Sequence, residues 1–570
     1  MVQLIKKERK GLIMKEKNMK KKKKGLAIGK SDFKEIITRN AYYIDKTKFI
    51  EEIIEDLSEV KLFTRPRRFG KTLNLSMLKY FFDLENAEEN KKLFENLCIS
   101  KSEYIEHQGQ NPVIFISMKN AEAESWEDSF SNIKNLVSDL YDKFEYISKN
   151  FKKRDLVEFE KIWIKKEEAD WESSIKNLSR YLYEYYGKKV IILIDEYDTP
   201  MTSAWNEGYY EKSRRFFKSF YSNALKDNEY LQFAVVTGIL RVVKEGIFSG
   251  LNNLSVYTVL DSDFSDCFGL LDNEVKQALE YYELSQNIEE VRKWYNGYKF
   301  GNVQVYNPWS ILNYLKRKEI NVYWINTSDN RLIHSAIENS DKELFDELKD
   351  LFNNGTTEQT VIASSNMDKL KDPQEVWQLL LFGGYLTVEE KVAMNEYALK
   401  LPNYEVKTFF KDMFVQNLGG SSRFKEMIRA FKNFEIEKFE EILNEIFLVS
   451  MSYYDTSKTE KPYHTLILGM MLYLDSEYTV LSNNETGYGR NDLALEPINK
   501  RNLGYIFEFK LAKTEEELEE RSKEALNQIE IKKYPVLLKE RGVKEIVYMG
   551  MAFYGKKVKV ECKMVDFMKE

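Results

Sequence analysis

VKLFTRPRRFGKTLNLSMLKYFF, residues 60–82, decides how the first half of the chain folds. VKLFT (60–64) is a short apolar run of strand length, RPRRFGKT (65–72) cannot continue it, and LNLSMLKYFF (73–82) reads as a helix. Three more apolar runs follow: VIFISM (113–118), VIILI (190–194) and FAVVTG (233–238). Continuous apolar strands separated by amphipathic helical stretches predict a parallel sheet covered by helices on both faces. Ligands of such sheets bind beyond the carboxyl ends of the strands. Polar residues gather just there: RPRRFGKT, DEYD (195–198) and Thr237-Gly238.

Gly70-Lys71-Thr72 opens the helix after the first strand. In a phosphate-binding loop the backbone N–H groups at a helix start cradle phosphate, the lysine reaches the β- and γ-phosphates, and the hydroxyl binds Mg²⁺. The loop's usual first glycine is absent, and Arg65 stands in its place. A bare G-K-T is as consistent with a surface turn. The second element tips the reading towards nucleotide: VIILIDEYD ends in Asp195 and Glu196, the order of a Mg²⁺-shell carboxylate followed by a water-activating base. Thr237 ends another strand and is placed to sense the γ-phosphate or the attacking water. Arg241, four residues on, is either a phosphate contact or a surface arginine at a helix start. ATP and Mg²⁺ are the expected cofactors, with Thr72 and Asp195 as metal ligands. The loop residues Arg65, Arg68, Phe69, Gly70, Lys71 and Thr72, together with Asp195, Thr237 and Arg241, form the expected nucleotide site.

Composition excludes several classes. The 570 residues are too many for one core; 43% hydrophobic and 31% charged residues describe a globular chain. No apolar stretch approaches a membrane span, LILGMMLYL (466–474) being about half of one, and GLIM near the start is too short for a signal peptide. Cys98, Cys267 and Cys562 are too scattered for a zinc knuckle or a disulfide framework. The expected compartment is the cytoplasm, with no membrane contact, and the Lys, Asn and Ile content hints at an AT-rich bacterial genome. Net charge is −6, but residues 1–24 hold eleven Lys and Arg against two Glu, which leaves about −15 on the rest. That tail reads as a solvated flexible arm, an early start codon before Met14 or Met19, or a nonspecific nucleic-acid arm.

Beyond the tail the chain divides into 25–270, a P-loop α/β domain; 271–445, mostly helical; and 446–570, a second α/β domain. Within the middle region residues 376–406 read as a helix, a Gly-Gly break and a β-hairpin, which fits a winged-helix module. The last part reads as a helix over 463–474, paired strands around 492–495 and 505–511, a helix opened by Thr514 with Glu517 as a capping box, and a strand over 545–553.

IGKSDFKEIITRNAYYIDKTKFI, LFTRPRRFGKTLNLSML, LIDEYDTP, TGILRVVKEGIFSGLNNL and WYNGYKFGNVQVYNPWSIL closely resemble the bacterial AAA-ATPase-like family. Its members commonly pair this ATPase with a C-terminal PD-(D/E)XK nuclease domain. In that family RPRRFGKT is the usual loop, so Arg65 follows the pattern. The resemblance extends over about residues 25–570.

The C-terminal part supplies what a PD-(D/E)XK site needs, two carboxylates to hold Mg²⁺ and a lysine to orient water. Tyr505, Phe507, Phe509 and Leu511 of GYIFEFKLA (504–512) share one strand face, which leaves Glu508 and Lys510 on the other. GRNDLALEP (489–497) supplies Asp492, and a polar turn returns the chain so that Asp492 and Glu508, 16 residues apart, meet across a hairpin. Two bare carboxylates about 4 Å apart repel by roughly 4 kcal/mol at an effective dielectric near 20, which a divalent cation removes. The alternative for Glu508 and Lys510 alone is a structural ion pair. The resemblance adds Glu460, before Tyr463-His464, as a catalytic carboxylate; Pro462 bears on its aim. It also adds Gln528 with Tyr534 as a downstream glutamine–tyrosine element. His464 is either a phosphate contact or structural.

These features imply an ATP-binding, ATP-hydrolysing protein with a Mg²⁺-dependent DNA nuclease domain, the nuclease regulated by nucleotide state. Glu196 is its expected base, and Asp492, Glu508, Lys510, Glu460 and Gln528 its expected nuclease residues. The second reading is a signalling NTPase switch whose C-terminal domain binds protein or DNA without cleavage. DNA is the expected partner; a protein partner and a homo-oligomer are compatible with the sequence.

Overall fold

The computed structural model describes residues 23–240, 252–325, 355–362, 372–417, 421–450, 461–474, 477–482 and 485–567, with 344, 347, 348 and 351 besides. The chain divides into two compact units, Met1–Val406 and Lys407–Glu570.

The first unit is built on a parallel sheet of β1 (Val60–Thr64), β2 (Val113–Ser117), β3 (Val190–Asp195), β4 (Leu231–Gly238) and β5 (Leu254–Tyr257), in the order β2-β3-β4-β1-β5. β1 and β3 are buried along their whole length, which is why they read as unbroken apolar runs. β5 is only half buried and carries no such run. Helices α1 (Lys71–Phe82), α2 (Trp126–Lys143) and α3 (Ser174–Tyr186) pack against the sheet, and α4 (Tyr210–Leu225) packs on α3. The register aligns the strand ends: Thr64 pairs with Gly238, and Ile194 with Val236, so Asp195 and Thr237 finish side by side.

Residues placed by sequence in a separate middle region continue this unit. Helices α5 (Asp272–Tyr281), α6 (Ile288–Tyr295) and α7 (Pro308–Arg317) share a core with Leu26, Tyr42 and Ile44 of the N-terminal segment. A hairpin, β6 (Tyr298–Phe300) with β7 (Val303–Val305), lies between α6 and α7. The anticipated helix, glycine break and hairpin are present as α8 (Pro373–Gly383), Gly384, β9 (Thr387–Ala393) and β10 (Glu396–Lys400). A further strand, β8 (Thr356–Thr360), pairs with β10.

The second unit opens earlier than the sequence division at 445/446. Helices α9 (Ser421–Lys432) and α10 (Ile436–Ser450) belong to it, because α10 is tied to the C-terminal sheet: Asn444 bonds both the carbonyl and the N–H of Val558. After α11 (Lys461–Met471), β11 (Tyr478–Ser482), β14 (Leu493–Pro497), β15 (Gly504–Leu511), β16 (Glu545–Tyr554) and β17 (Lys557–Asp566) form one sheet in that order. A separate two-stranded hairpin joins β12 (Glu485–Thr486) to β13 (Gly489–Arg490). Helix α12 (Leu518–Ile531) starts four residues after Thr514; the carboxylate of Glu517 at its cap reaches back to the N–H of Lys513. α12 presses so closely on β16 that a Cβ at Gly550 would lie 2.2 Å from the Ser522 carbonyl oxygen.

Candidate functional sites

The phosphate-loop geometry begins at Gly70, the cap of α1, whose φ of +90° suits glycine. Lys71 begins the helix and is almost fully buried. Its Nζ donates to the carbonyls of Arg65 (2.8 Å) and Pro66 (2.9 Å), folding the side chain over the loop. Burial pulls the Lys71 ammonium down to about 8, against the opposing charges of Glu196, Asp198 and Asp195. Thr72 donates its hydroxyl to Asp195 Oδ2 at 2.8 Å, and Thr237 donates to Asp195 Oδ1 at 2.6 Å. β4 lies between β1 and β3, and for that reason one carboxylate joins the helix start to the neighbouring strand end.

Glu196 follows with φ +53°, a backbone conformation disfavoured for a non-glycine residue and frequent at functional sites. Burial, with the charge of Asp195 beside it, raises its carboxyl above the ordinary range. Asp198, the second aspartate of DEYD, is buried and accepts the N–H groups of Ile239 (2.9 Å) and Leu240 (2.8 Å), fixing the chain as it leaves β4. Sequence alone assigns Asp198 no role; its position two residues past Glu196 in DEYD is the available signal.

Arg65 and Arg68 diverge. Arg65 is fully buried: its guanidinium donates to the carbonyls of Thr64, Tyr257 and Phe264 and lies 5.1 and 5.2 Å from the ring centroids of Phe268 and Phe300. Only its backbone carbonyl faces Lys71, so the side chain is a core element of the loop rather than a phosphate contact. Arg68 is exposed, has φ +68°, and stacks over Trp309 at 4.4 Å. Phe69 is buried against Tyr298 and Phe300. The indole N–H of Trp324 donates to the Arg67 carbonyl at 3.0 Å. Behind it, buried Glu405 accepts from the Ser310 hydroxyl and from the N–H groups of Tyr323 and Trp324, and burial raises its carboxyl to about 7. The outer side of the loop is therefore gripped by aromatic residues more than 200 positions downstream.

In the second unit β14 and β15 pair antiparallel with Leu493 opposite Phe507; Asp492 immediately precedes Leu493 and Glu508 immediately follows Phe507. Asp492 Oδ2 accepts the N–H of Phe509 at 2.7 Å. Lys510 Nζ stands 3.5 Å from Glu508 Oε1, and that oxygen also accepts from the amide of Gln528 on α12. Gln528 lies 3.3 Å from the hydroxyl of Tyr534. The ring of His464 contacts the carbonyl oxygen of Asp492 at 2.9 Å and edges onto Phe509, which gives it a structural partner at the same site. Tyr463 is buried against Phe553 and donates to the Gly555 carbonyl.

The expected residues thus fall into two groups: Lys71, Thr72, Asp195, Glu196 and Thr237 in the first unit, and Asp492, Glu508, Lys510 and Gln528 in the second. Arg241 and Glu460 lie outside the described residues. Both groups offer oxygen donors, the hydroxyl of Thr72 and the carboxylates of Asp195, Asp492 and Glu508, a set that fits a hard cation such as Mg²⁺.

A parallel-sheet unit with a lysine-bearing loop is thus followed by a unit in which Asp492, just before β14, and Glu508, on β15, flank one strand pair. Residues 27–248 match the family described as predicted AAA-ATPase, and residues 458–563 match the PD-(D/E)XK nuclease superfamily. Over 391 residues it is 26% identical to an uncharacterized protein in the vnfD 5′ region of Azotobacter chroococcum mcd 1, spanning 68% of this chain and 69% of the relative. Among the described residues no helix is long and apolar enough to cross a membrane.

Proposed function

We propose that the protein is an ATP-hydrolysing enzyme whose C-terminal domain is a Mg²⁺-dependent DNA nuclease, and that nucleotide state regulates cleavage. The observation that supports the nuclease reading is the convergence of Lys510 and Gln528 on the Glu508 carboxylate, beside a strand pair, Leu493 with Phe507, that has Asp492 and Glu508 as its next residues. The two family matches support it at the level of class.

Thr72 and Asp195 in one domain, and Asp492 and Glu508 in the other, would hold Mg²⁺, which would supply the Lewis acidity that phosphoryl and phosphodiester transfer require. The protein's own groups do the rest. Lys71 turns from the loop carbonyls to the nucleotide phosphates. Glu196, raised towards neutrality, takes the proton of the attacking water, and Thr237 orients that water. In the second domain Lys510 orients the nucleophile and offsets phosphate charge, while Gln528 fixes Glu508.

The deciding experiment is a nuclease assay on linear, circular and single-stranded DNA, with and without ATP and Mg²⁺. Asp492→Ala and Glu508→Ala should abolish cleavage and leave ATP binding intact; normal cutting by either would remove the assignment. Cleavage that ignores ATP would remove the regulatory part alone.

A further inference from the structure

The hairpin of β12 and β13 turns through Gly487 and Tyr488 and is seated on the residues that leave α12. A Cβ at Gly487 (φ +58°) would lie 2.2 Å from the Lys532 carbonyl oxygen and 2.5 Å from that of Lys533, so only glycine fits the turn there. The Tyr488 N–H donates to the Lys532 carbonyl at 2.7 Å, and the Thr486 hydroxyl to the Tyr534 carbonyl at 3.1 Å. The backbone of the turn is thus fixed, yet the Tyr488 ring is 69% exposed.

Single exposed apolar residues are ordinary, and exposure alone assigns nothing. The surroundings of this ring are more specific. Lys533 Nζ lies 5.4 Å from its centroid, Lys532, whose carbonyl the turn is bonded to, is exposed, and so is Arg490, two residues on from Tyr488. An exposed aromatic face on a fixed turn, with one cation over it and others along the same stretch of chain, matches what unpaired nucleotides present, a π-face and a backbone phosphate. A duplex keeps its base faces stacked inside and offers only the phosphates.

The seat is also continuous with the paired carboxylates. Arg490 is two residues before Asp492. A Cβ at Gly489 would sit 3.2 Å from the Tyr534 hydroxyl, which is 3.3 Å from Gln528, the residue that holds Glu508.

We propose that Tyr488 is a stacking platform for an unpaired base of single-stranded DNA, flanked by Arg490, Lys532 and Lys533 as phosphate contacts, beside the Asp492–Glu508 site. The proposal deepens the nuclease reading and rests on it for the identity of the ligand.

The test uses the full-length protein in EDTA, where cleavage cannot occur, with fluorescent oligothymidylate and a blunt duplex of equal length in an anisotropy titration. Tyr488→Ala should bind the single strand about tenfold more weakly, the loss of one base stack, while Tyr488→Phe and Tyr488→Trp hold affinity. Lys533→Gln should instead reduce the dependence of log affinity on log salt by about 0.7, one phosphate contact on a single strand. Equal affinity of Tyr488→Ala and wild type for oligothymidylate overturns the platform. So does a loss in Tyr488→Phe as large as in Tyr488→Ala, because that would assign the effect to the hydroxyl or to folding. Tyr488-dependent binding without cleavage in Mg²⁺ would sink the nuclease reading and leave the platform standing; cleavage with Tyr488-independent binding would do the reverse.

Discussion

Gln528 on α12 donates its amide to Oε1 of Glu508 on β15, so the carboxylate beside Lys510 is oriented from a different element of the fold. Gln528→Leu should therefore lower DNA cleavage by about 10- to 100-fold and raise the Mg²⁺ concentration needed, as loss of a partner behind a metal ligand does. A Mg²⁺ titration of cleavage rate checks both effects. An unchanged Mg²⁺ requirement would mean that Gln528 only packs.

Glu196→Gln keeps shape and hydrogen bonding but removes the base. Turnover of ATP should fall by about 10²- to 10⁴-fold with ATP affinity near that of wild type. Measuring the dissociation constant and the single-turnover rate on the same preparation separates the two, and undiminished hydrolysis would assign the base elsewhere.

Lys71 makes nucleotide affinity pH-dependent. Burial holds its free-state value at about 8, and phosphate oxygens in the complex favour the charged form, so the complex binds the proton more tightly than the free protein. Below pH 8 the lysine is charged in both states and affinity is flat; above it, binding must take up a proton and affinity falls. Isothermal titration at pH 7 and pH 9 in two buffers of different ionisation enthalpy should show weaker binding and net proton uptake at the higher pH. Lys71→Ala should weaken binding at both and remove the pH dependence.

Trp324→Phe keeps an aromatic ring but loses the donor to the Arg67 carbonyl. A hydrogen bond of about 1 kcal/mol in net worth corresponds to roughly fivefold weaker ATP binding if that contact holds the loop in its binding geometry. Equilibrium binding of a fluorescent ATP analogue measures it, and unaltered affinity would show that the grip on the loop is dispensable.

Much of this arrangement was legible in the sequence. The four apolar runs became β1 to β4, because strands buried on both faces must be apolar throughout, and the loop and the acidic pair fell at their carboxyl ends. The hairpin expected between GRNDLALEP and GYIFEFKLA is the β14–β15 pair, and Asp492, just before β14, accepts the N–H of Phe509 on β15. β5 escaped, since a half-buried edge strand such as LSVY leaves no continuous signal. The grip of Trp324, 257 residues from Arg67, has no local signature at all. Asp198 stood in plain view within DEYD, but its partners, the N–H groups after β4, are set only by tertiary packing. The compact units divide at 406/407 where the sequence suggests 445/446, because amphipathic helices look alike whichever core they cover; the bonds between Asn444 and Val558 tie α10 to the C-terminal sheet.

Arg65, sunk among Phe268, Phe300 and three backbone carbonyls, has a consequence for how such a domain would age. Were a lineage to abandon nucleotide, Lys71 would be released early, since burial penalises its ammonium in the free protein despite the bonds to the Arg65 and Pro66 carbonyls. Arg65 would stay, because removing it would strip the loop of its footing whether or not anything bound there. A descendant that keeps the arginine and has lost the lysine would therefore record a vanished activity in an intact fold.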